Sequence, residues 1–338
     1  MADLIENRNG KDCMAYNLKG GTPWHSKGFA CDGLMTPNQA LVAAGMDWEV
    51  ELRNVYLEND GALLEIPNQF AVTRVTDNRV YQIVSERYSP IQNAEVAKFI
   101  GDLFGQNKAT VEACGSLKMG AVLWFLLKLE GIVNVKGDEI LEYILVTFSH
   151  DGSIALEMFW TPIRVVCWNT LRLARSKKRA TFYARHTTNV AEKISNEVKQ
   201  AEAVEILGLA NLFYKDFGHV ANRMANTNLP GSKVQEFLNA TFGLELATLP
   251  EEVSTRTKNQ QLEVLKLSEV GLGNEPHRGT LWGYYNGVVE YADFYKGYKG
   301  TTEKSEVKNP TGQLEGAMFG SGAKLKENAW AYLSKIAC

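Results

Sequence analysis

The sequence predicts an α+β fold in which antiparallel β-meanders with packed helices are followed by a mostly helical C-terminal half. Two observations predict it. Between Trp48 and Trp160 apolar residues largely alternate with polar ones, which is the period of a strand with one buried face. After Trp160 apolar residues recur every three to four positions, which is the period of an amphipathic helix. Strands followed by helices along the chain are typical of the α+β class.

Residues 1–35 are predicted to form a loosely structured N-terminal arm, because they are rich in Gly, Asn and Lys. Trp24 and His25 stand out in this arm, but a lone histidine beside a tryptophan is more often a packing feature than a ligand. The first helix is predicted to begin at Thr36, since threonine followed by proline supplies an N-cap and a first helical residue. We expect this helix to end at Gly45.

Seven strands and one helix are predicted between residues 48 and 160. Turn residues at 59–61 and 77–78 separate the first three strands, which predicts a meander. An amphipathic helix is expected from Asn93 to Phe104, and the aspartate and glycine after His150 mark a hairpin turn. The predicted strands are WEVELRNVYL, LLEIPNQFAVTRV, VYQIVSERY, ATVEACGSL, AVLWFLLKLEG, EILEYILVTFS and SIALEMFW.

A stretch without any acidic residue runs from Met158 to Ala191. It holds seven Lys or Arg residues in a chain of net charge -3, so the remainder carries about -10 (-3 minus 7). Thr161 followed by proline repeats the helix-start signal, and we predict a basic helix over residues 162–175. Residues three and four apart share a helix face. The polar face of this helix would carry Arg164, Trp168, Arg172 and Arg175.

Cations interleaved with aromatic rings are what a single-stranded nucleic acid requires. The cations neutralise phosphates, and each ring offers an unpaired base a stacking platform worth about 1–3 kcal/mol. Such binding is largely independent of base sequence and weakens steeply with salt. Alternatively, Trp168 is half-buried and the arginines pair with acids elsewhere in the fold. The candidate nucleic-acid-binding residues are Arg164, Trp168, Arg172, Arg175, Lys177, Lys178, Arg179, Phe182, Tyr183, Arg185 and His186.

The chain that follows the N-terminal arm is predicted to consist of two regions, divided at residue 187. Residues 36–187 are predicted to form the α+β core, and residues 188–338 a helical region. The segment 298–322 is rich in Gly, Lys, Thr and Ser, so we expect it to be mobile. Helices of this region are predicted from about 188 into the 220s and near 232–241, 251–269, 280–295 and 323–336.

Several other classes of protein are disfavoured. The N-terminus has no apolar signal segment and the most apolar run, Ala121 to Leu127, is too short to span a bilayer, which favours a cytoplasmic protein without a membrane partner. Five scattered cysteines without a CxxC pair suggest neither zinc nor disulfides. Exposure explains the polarity of the two carboxylate pairs that could in principle hold Mg²⁺, namely Glu139 with Glu142 and Glu251 with Glu252. No catalytic residue, metal or cofactor is predicted.

Several segments together resemble the phage/plasmid-like protein family, a family of unassigned function from phages, plasmids and bacterial genomes. The resemblance covers nearly the whole chain, and TPIRVVCWNTL is its most specific segment. It implies a mobile element as the setting, but no activity. The other segments are PWHSKG, YSPIQN, CGSLKMG, SHDGS, RHT, GTLWGYYNGVVEYAD and FGSGAKLKENA.

A more distant resemblance concerns the order of elements. ALVAAGMDWEVELRNVYL is similar to the helix and Trp-led strand that open the fold of the single-strand annealing superfamily, which includes RecT, Red beta and the eukaryotic Rad-fifty-two annealase. A fold analogy does not establish function. The resemblance implies subunits assembled into a ring or filament, with a single strand in a basic groove.

Residues and resemblances together lead us to expect a non-catalytic protein that binds single-stranded DNA and anneals or protects strands in phage recombination or replication. Annealing requires assembly, so a homo-oligomer in the host cytoplasm is expected, and a phage nuclease would be a natural partner. Two alternatives stay open. One is an enzyme acting on nucleic acid or nucleotides through His186 or a carboxylate pair. The other is a phage protein that binds a host protein and mimics nucleic acid with its acidic surface.

Overall fold

The computed structural model describes residues 5–20, 28–108, 110–164, 169–170, 182–185, 199–297, 316–317 and 320–338. Strands dominate before residue 185 and helices after residue 198, which confirms the predicted α+β class. The described strands are β1 (Asn7–Arg8), β2 (Lys11–Asp12), β3 (Met14–Asn17), β4 (Phe29–Cys31), β5 (Val50–Asn59), β6 (Ala62–Arg74), β7 (Val80–Ser85), β8 (Thr110–Leu117), β9 (Val122–Val135), β10 (Asp138–Ser149), β11 (Leu156–Trp160), β12 (Ile163–Arg164), β13 (Asn169–Thr170) and β14 (Phe182–Ala184).

The helices lie mostly in the second half of the chain. The described ones are α1 (Pro37–Ala43), α2 (Asn93–Lys108), α3 (Lys199–Asn226), α4 (Val234–Phe242), α5 (Thr255–Val270), α6 (Leu281–Glu290, continued by a π turn, Tyr291–Tyr295) and α7 (Ser321–Ala337). None of these helices is long and apolar enough to cross a membrane.

The described strands form three sheets. β1 pairs with β2, and β5, β6 and β7 form the predicted meander. The largest sheet has the order β13-β12-β10-β9-β8-β3-β4, with β11 also paired to β10 and β14 paired to β11. All pairs in this nine-stranded sheet are antiparallel except β3 with β4, which are parallel.

The hairpin of β5 and β6 extends beyond the body of the protein. We call residues 56–68 the β-arm, because every residue in this range is exposed. Asp60 and Gly61 at its tip have positive φ angles (49° and 79°), as the predicted turn requires. Leu57 lies opposite Leu64 on one face, and both are at least half exposed. The β-arm therefore presents apolar surface that the described part of the chain leaves uncovered.

The first helix begins as predicted. The Thr36 side chain accepts a hydrogen bond from the Gln39 backbone (3.3 Å), and the Gln39 side chain accepts one from the Thr36 backbone (3.0 Å). This reciprocal capping box satisfies two amides that a helix start leaves unpaired. α1 ends at Ala43, and Gly45 then adopts a left-handed conformation (φ 62°).

The prediction of a loose N-terminal arm is wrong for the residues that the structure describes. All four residues of β3 are buried, and the strand lies between β8 and β4 in the large sheet. Ile5 is also buried and bridges to Leu117 of β8. Two sheet neighbours satisfy the backbone of β3, which local composition could not indicate. Trp24 and His25 lie outside the described residues.

The prediction of a basic helix over residues 162–175 is also wrong where it can be compared. Ile163 and Arg164 form β12, which pairs with β10 on one side and with β13 on the other. Ile163 lies opposite Thr170, so the chain forms a strand pair here and not a helical turn. β-Branched residues pack well in strands, and the backbone of β10 at Ile140 and Leu141 gains partners from β12.

The helical half follows the prediction more closely. α4, α5, α6 and α7 lie near the predicted ranges, and α3 covers the second part of the long helix predicted from about 188. Residues 186–198 lie outside the described part, as does most of the segment 298–322 that we expected to be mobile. Ser321 and Gly322 at the end of that segment already belong to α7. A single hydrophobic core includes Phe125 of the sheet and Trp282 of α6.

Candidate functional site

Four of the eleven predicted nucleic-acid-binding residues lie in the described part of the chain. Arg164 belongs to β12, Phe182 and Tyr183 belong to β14, and Arg185 is exposed directly after β14. The four described residues therefore lie on or beside sheet strands and do not share one helix face. The other seven residues lie outside the described ranges: Trp168, Arg172, Arg175, Lys177, Lys178, Arg179 and His186.

The described ends of the acid-free stretch lie along one edge of the large sheet. β11 and β12 pair with the same side of β10, whose other side pairs with β9. β13 lies outside β12 and β14 lies outside β11, so both are outermost among the strands that the structure describes. Of the aromatic residues in the stretch, Trp160 stacks on Phe213 of α3 with ring centroids 5.0 Å apart. Its ring is therefore engaged in packing.

An irregularity crosses the sheet beneath α3. The β9–β10 register shifts so that three residues of β9, Leu129–Gly131, face the single residue Glu142 of β10. On the other side of β10, the pairing is interrupted at the same level, between β11 and β12. There the Thr161 amide donates a hydrogen bond to the Tyr143 carbonyl (2.9 Å). The Tyr214 hydroxyl accepts a hydrogen bond from the Tyr143 amide (2.9 Å) and donates one to its carbonyl (2.6 Å). A tyrosine of α3 thus pairs with the Tyr143 amide at the bulge and shares the Tyr143 carbonyl with the Thr161 amide.

The bulge directs Glu142 into a cleft of about 990 Å³ between α3 and the β9–β10 hairpin, which we call the α3 cleft. The Glu142 carboxylate lies against Gly131, where a Cβ would collide with it. Its side chain is half-buried, and burial raises its pKa. The prediction that Glu142 is polar because it is exposed is therefore wrong. Bulges that redirect a side chain are over-represented next to active sites.

The opposite wall of the α3 cleft carries three basic side chains. Lys215, His219 and Arg223 are four residues apart on α3, share one face and are exposed. Lys215 and His219 make no hydrogen bond or ion pair with any residue that the structure describes. The Arg223 guanidinium donates one hydrogen bond to the Cys338 carbonyl (3.0 Å). The cleft therefore holds cationic groups on one wall and a carboxylate on the other.

Asn222 fixes the position of α3 above the hairpin. Its amide nitrogen donates to the Asn134 carbonyl (2.8 Å), and its amide oxygen accepts from the Lys136 backbone (3.1 Å). Gly218 allows the helix to approach β9, because a Cβ at that position would lie 3.0 Å from a methyl carbon of Val133. The two walls of the α3 cleft are therefore held at a defined separation.

A buried ion network joins the meander to the large sheet. Arg74 is 1% exposed and donates to Glu6 (2.5 Å) and, through two nitrogens, to Asp77 (2.8 and 2.6 Å). Its guanidinium also lies over the Trp48 ring, 4.9 Å from the centroid. The hydrogen bond from Arg74 lowers the pKa of Asp77 to about 2. The burial of Arg74 indicates a structural role, because no ligand could reach it without rearrangement of the fold.

Two of the segments that carry the family resemblance, YSPIQN and SHDGS, lie next to each other beside this network. His150 is fully buried, and its Nε2 lies 2.8 Å from Oδ1 of Asn93. The Asn93 amide nitrogen already donates to the carbonyls of Met46 and Trp48, so its oxygen is the acceptor and His150 Nε2 is the donor. The His150 ring also stacks on Tyr81. His150 is thus a packed core residue.

A second, smaller cleft of about 500 Å³ lies beside the β9–β10 turn. Asp138 is buried there and accepts a hydrogen bond from the Trp282 indole (3.0 Å), with His277 Nε2 3.9 Å away. These contacts join the sheet to α6. Among the described residues no group of three or more His, Cys, Asp or Glu side chains could hold a metal ion.

The α3 cleft was missed by sequence reasoning. The four-residue repeat of Lys215, His219 and Arg223 was a usable signal, since it predicts one basic helix face. Gly131 inside a strand was a second signal, because an isolated glycine in a strand often marks a bulge. Nothing local indicated that these two features would face each other.

One comparison with known proteins gives a match. A family model described as a domain of unknown function (DUF932) matches residues 80–311, from the start of β7 to beyond α6. No curated protein and no solved structure matches the chain. The matched range includes the outer sheet edge and most of the α3 cleft. Because it also covers more than half of the 338 residues, the chain belongs to the DUF932 family.

Proposed function

We propose that this protein binds single-stranded DNA without catalytic turnover and anneals or protects strands during recombination or replication of a phage or another mobile element. The observation that carries the proposal is the stretch from Met158 to Ala191, with seven Lys or Arg residues and no acid. Its described ends run along one outer sheet edge, which supports a continuous basic surface there. The acidic remainder of the chain would confine a polyanion to that surface.

Annealing also requires self-association, and the proposal includes a homo-oligomer. The β-arm supports this part, because its apolar side chains are exposed on a hairpin that extends from the body. Exposed apolar patches of this kind often mark interaction surfaces. The resemblance to annealases is consistent with a ring or filament, in which the β-arm of one copy would contact the next.

The test is fluorescence anisotropy of a labelled single-stranded oligonucleotide, titrated with protein at several salt concentrations. For single strands the logarithm of the binding constant falls with the logarithm of salt by about 0.7 per phosphate contact. We expect tight binding at low salt and a slope that corresponds to several contacts. Light scattering of the same samples would report the number of subunits, and a strand-annealing assay would follow.

Amino-acid substitutions test which surface of the protein binds the single-stranded DNA. We expect Trp168→Ala with Arg172→Ala to weaken binding at least about tenfold, through a lost stacking platform and a lost phosphate contact. The matched control is Phe29→Ala with Lys98→Ala, which removes an exposed ring and an exposed cation outside both the acid-free stretch and the β-arm. No binding at low salt, or equal loss in both double variants, would overturn the proposal. Metal-dependent turnover that His186→Ala abolishes without loss of binding would establish the enzyme alternative instead.

A further inference from the structure

The α3 cleft contains charges of both signs that do not neutralise each other. Glu142 makes no hydrogen bond or ion pair with any described residue, and the same holds for Lys215 and His219 on the facing wall. A half-buried carboxylate without a partner is costly, because burial penalises its charged form. An occupant with an anionic end and a hydrogen-bond-donor end would satisfy both walls at once.

The dimensions restrict the occupant. From Lys215 to Arg223 the basic stripe spans about 12 Å, at 1.5 Å per residue along the helix axis. The volume of about 990 Å³ is at the upper end of the 300–1,000 Å³ that small-molecule sites commonly occupy. Apolar surface from Val133 and Ala337 forms part of the lining. The cleft therefore suits a ligand that combines an apolar part, such as a ring, with polar ends.

We propose that the α3 cleft binds a nucleotide, with its phosphate at Lys215 and His219 and its donor groups at Glu142. Lysine and arginine are common phosphate ligands, and imidazole adds a further donor. The carboxylate of Glu142 can accept hydrogen bonds from a base amino group or from ribose hydroxyls. The bulge at Glu142 and the packing of Gly131 against it hold the carboxylate in place. This site is separate from the basic sheet edge and does not depend on the function proposed for that edge.

Isothermal titration calorimetry of the full chain with adenosine, guanosine and uridine monophosphates tests the proposal. We expect at least one of them to bind with a Kd below about 1 mM. Lys215→Gln and Glu142→Gln should each weaken binding about tenfold, because each removes a charge-assisted hydrogen bond. Gly131→Ala should weaken it as well, because the added methyl group displaces the Glu142 carboxylate.

Controls separate the site from general charge effects. Glu139→Gln changes an exposed carboxylate three residues away on β10, and Lys266→Gln changes an exposed lysine of α5. Both should leave the Kd within about twofold of the wild-type value. Thermal unfolding of every variant would check that the fold is retained. No binding of any monophosphate at about 1 mM, or wild-type affinity in both Lys215→Gln and Glu142→Gln, would overturn the proposal.

The same chemistry could come from a free nucleotide or from one unit of a strand, and competition distinguishes these sources. An unlabelled oligonucleotide that displaces the monophosphate would show that the cleft takes a unit of the strand. Simultaneous binding would show that the free nucleotide is the ligand. The Trp168→Ala, Arg172→Ala variant should bind the monophosphate normally, so failure of the proposed DNA binding would not remove this site.

Discussion

Replacement of Arg74 by methionine tests whether the buried ion network holds the meander to the large sheet. Methionine keeps most of the apolar volume but removes the guanidinium that bonds to Glu6 and Asp77. The Glu6 side chain is 4% exposed and would keep only uncharged partners, namely the hydroxyl of Ser116 (3.0 Å) and the thiol of Cys13. The variant therefore leaves a carboxylate buried without its counter-ion.

The expected cost follows from burial. Removal of one partner from a buried ion pair costs about 3–5 kcal/mol, because the remaining charge stays desolvated. Loss of the cation–π contact with Trp48 adds about 1 kcal/mol. Asp77 is 38% exposed, so water screens its ion pair with Arg74. The loss of this pair therefore adds less than about 1 kcal/mol. Together these contributions predict that Arg74→Met loses about 4–7 kcal/mol of the free energy of unfolding.

Urea denaturation followed by tryptophan fluorescence measures this loss, and a second substitution tests its cause. Glu6→Gln in the Arg74→Met background removes the buried charge that has lost its counter-ion. We therefore expect the double variant to recover part of the lost stability. Arg53→Met is the matched control, because its ion pair with Glu51 is exposed and should be worth less than about 1 kcal/mol. A loss below about 1 kcal/mol in Arg74→Met, or further destabilisation by Glu6→Gln, would refute the reasoning.

Two further predictions concern pH and the bulge. The pKa of Asp77 is lowered from 3.8 to about 2 by Arg74, so the pair should stabilise the fold above about pH 4 and lose this effect as the pH falls towards 2. Urea denaturation across this range should show a weaker pH dependence in Asp77→Asn, and an unchanged profile would contradict the prediction. Tyr214→Phe leaves the amide and carbonyl of Tyr143 without the tyrosine hydroxyl and should cost about 1–3 kcal/mol. Hydrogen exchange at the Tyr143 amide should become faster, and unchanged protection would show that the hydroxyl does not stabilise the bulge.

The two Thr-Pro signals show what sequence could and could not predict about the fold. Thr36 begins α1, but Thr161 is followed by a strand. The residue three positions after Thr36 is Gln39, which completes the capping box, whereas Arg164 occupies that position after Thr161 and has no acceptor to offer. Tertiary pairing with β10 then decided the outcome. Local patterns predicted the meander and most helices, because those elements are specified by their own periodicity.

The candidate sites were less predictable, because they depend on contacts between distant segments. The α3 cleft requires Glu142 to face a helix that begins more than fifty residues later. The Arg74 network likewise joins residues 68 positions apart in its contact with Glu6. Charge counting drew attention to the acid-free stretch, but it could not show that this stretch supplies sheet strands. Alternation and helical spacing carry no information about such pairings.

One break in the sheet accounts for the position of the α3 cleft. Proline has no amide hydrogen, so Pro162 cannot continue the ladder from β11 to β12, and at the same level β9 bulges opposite Glu142 of β10. The Tyr143 amide at this break donates to the Tyr214 hydroxyl, which in turn donates to the Tyr143 carbonyl, and these bonds fix α3 across the break beside the cleft. On the other side of the same break, β12 pairs with β13. A regular ladder would have kept Glu142 in register with β9, so the interruption directs its carboxylate into the α3 cleft.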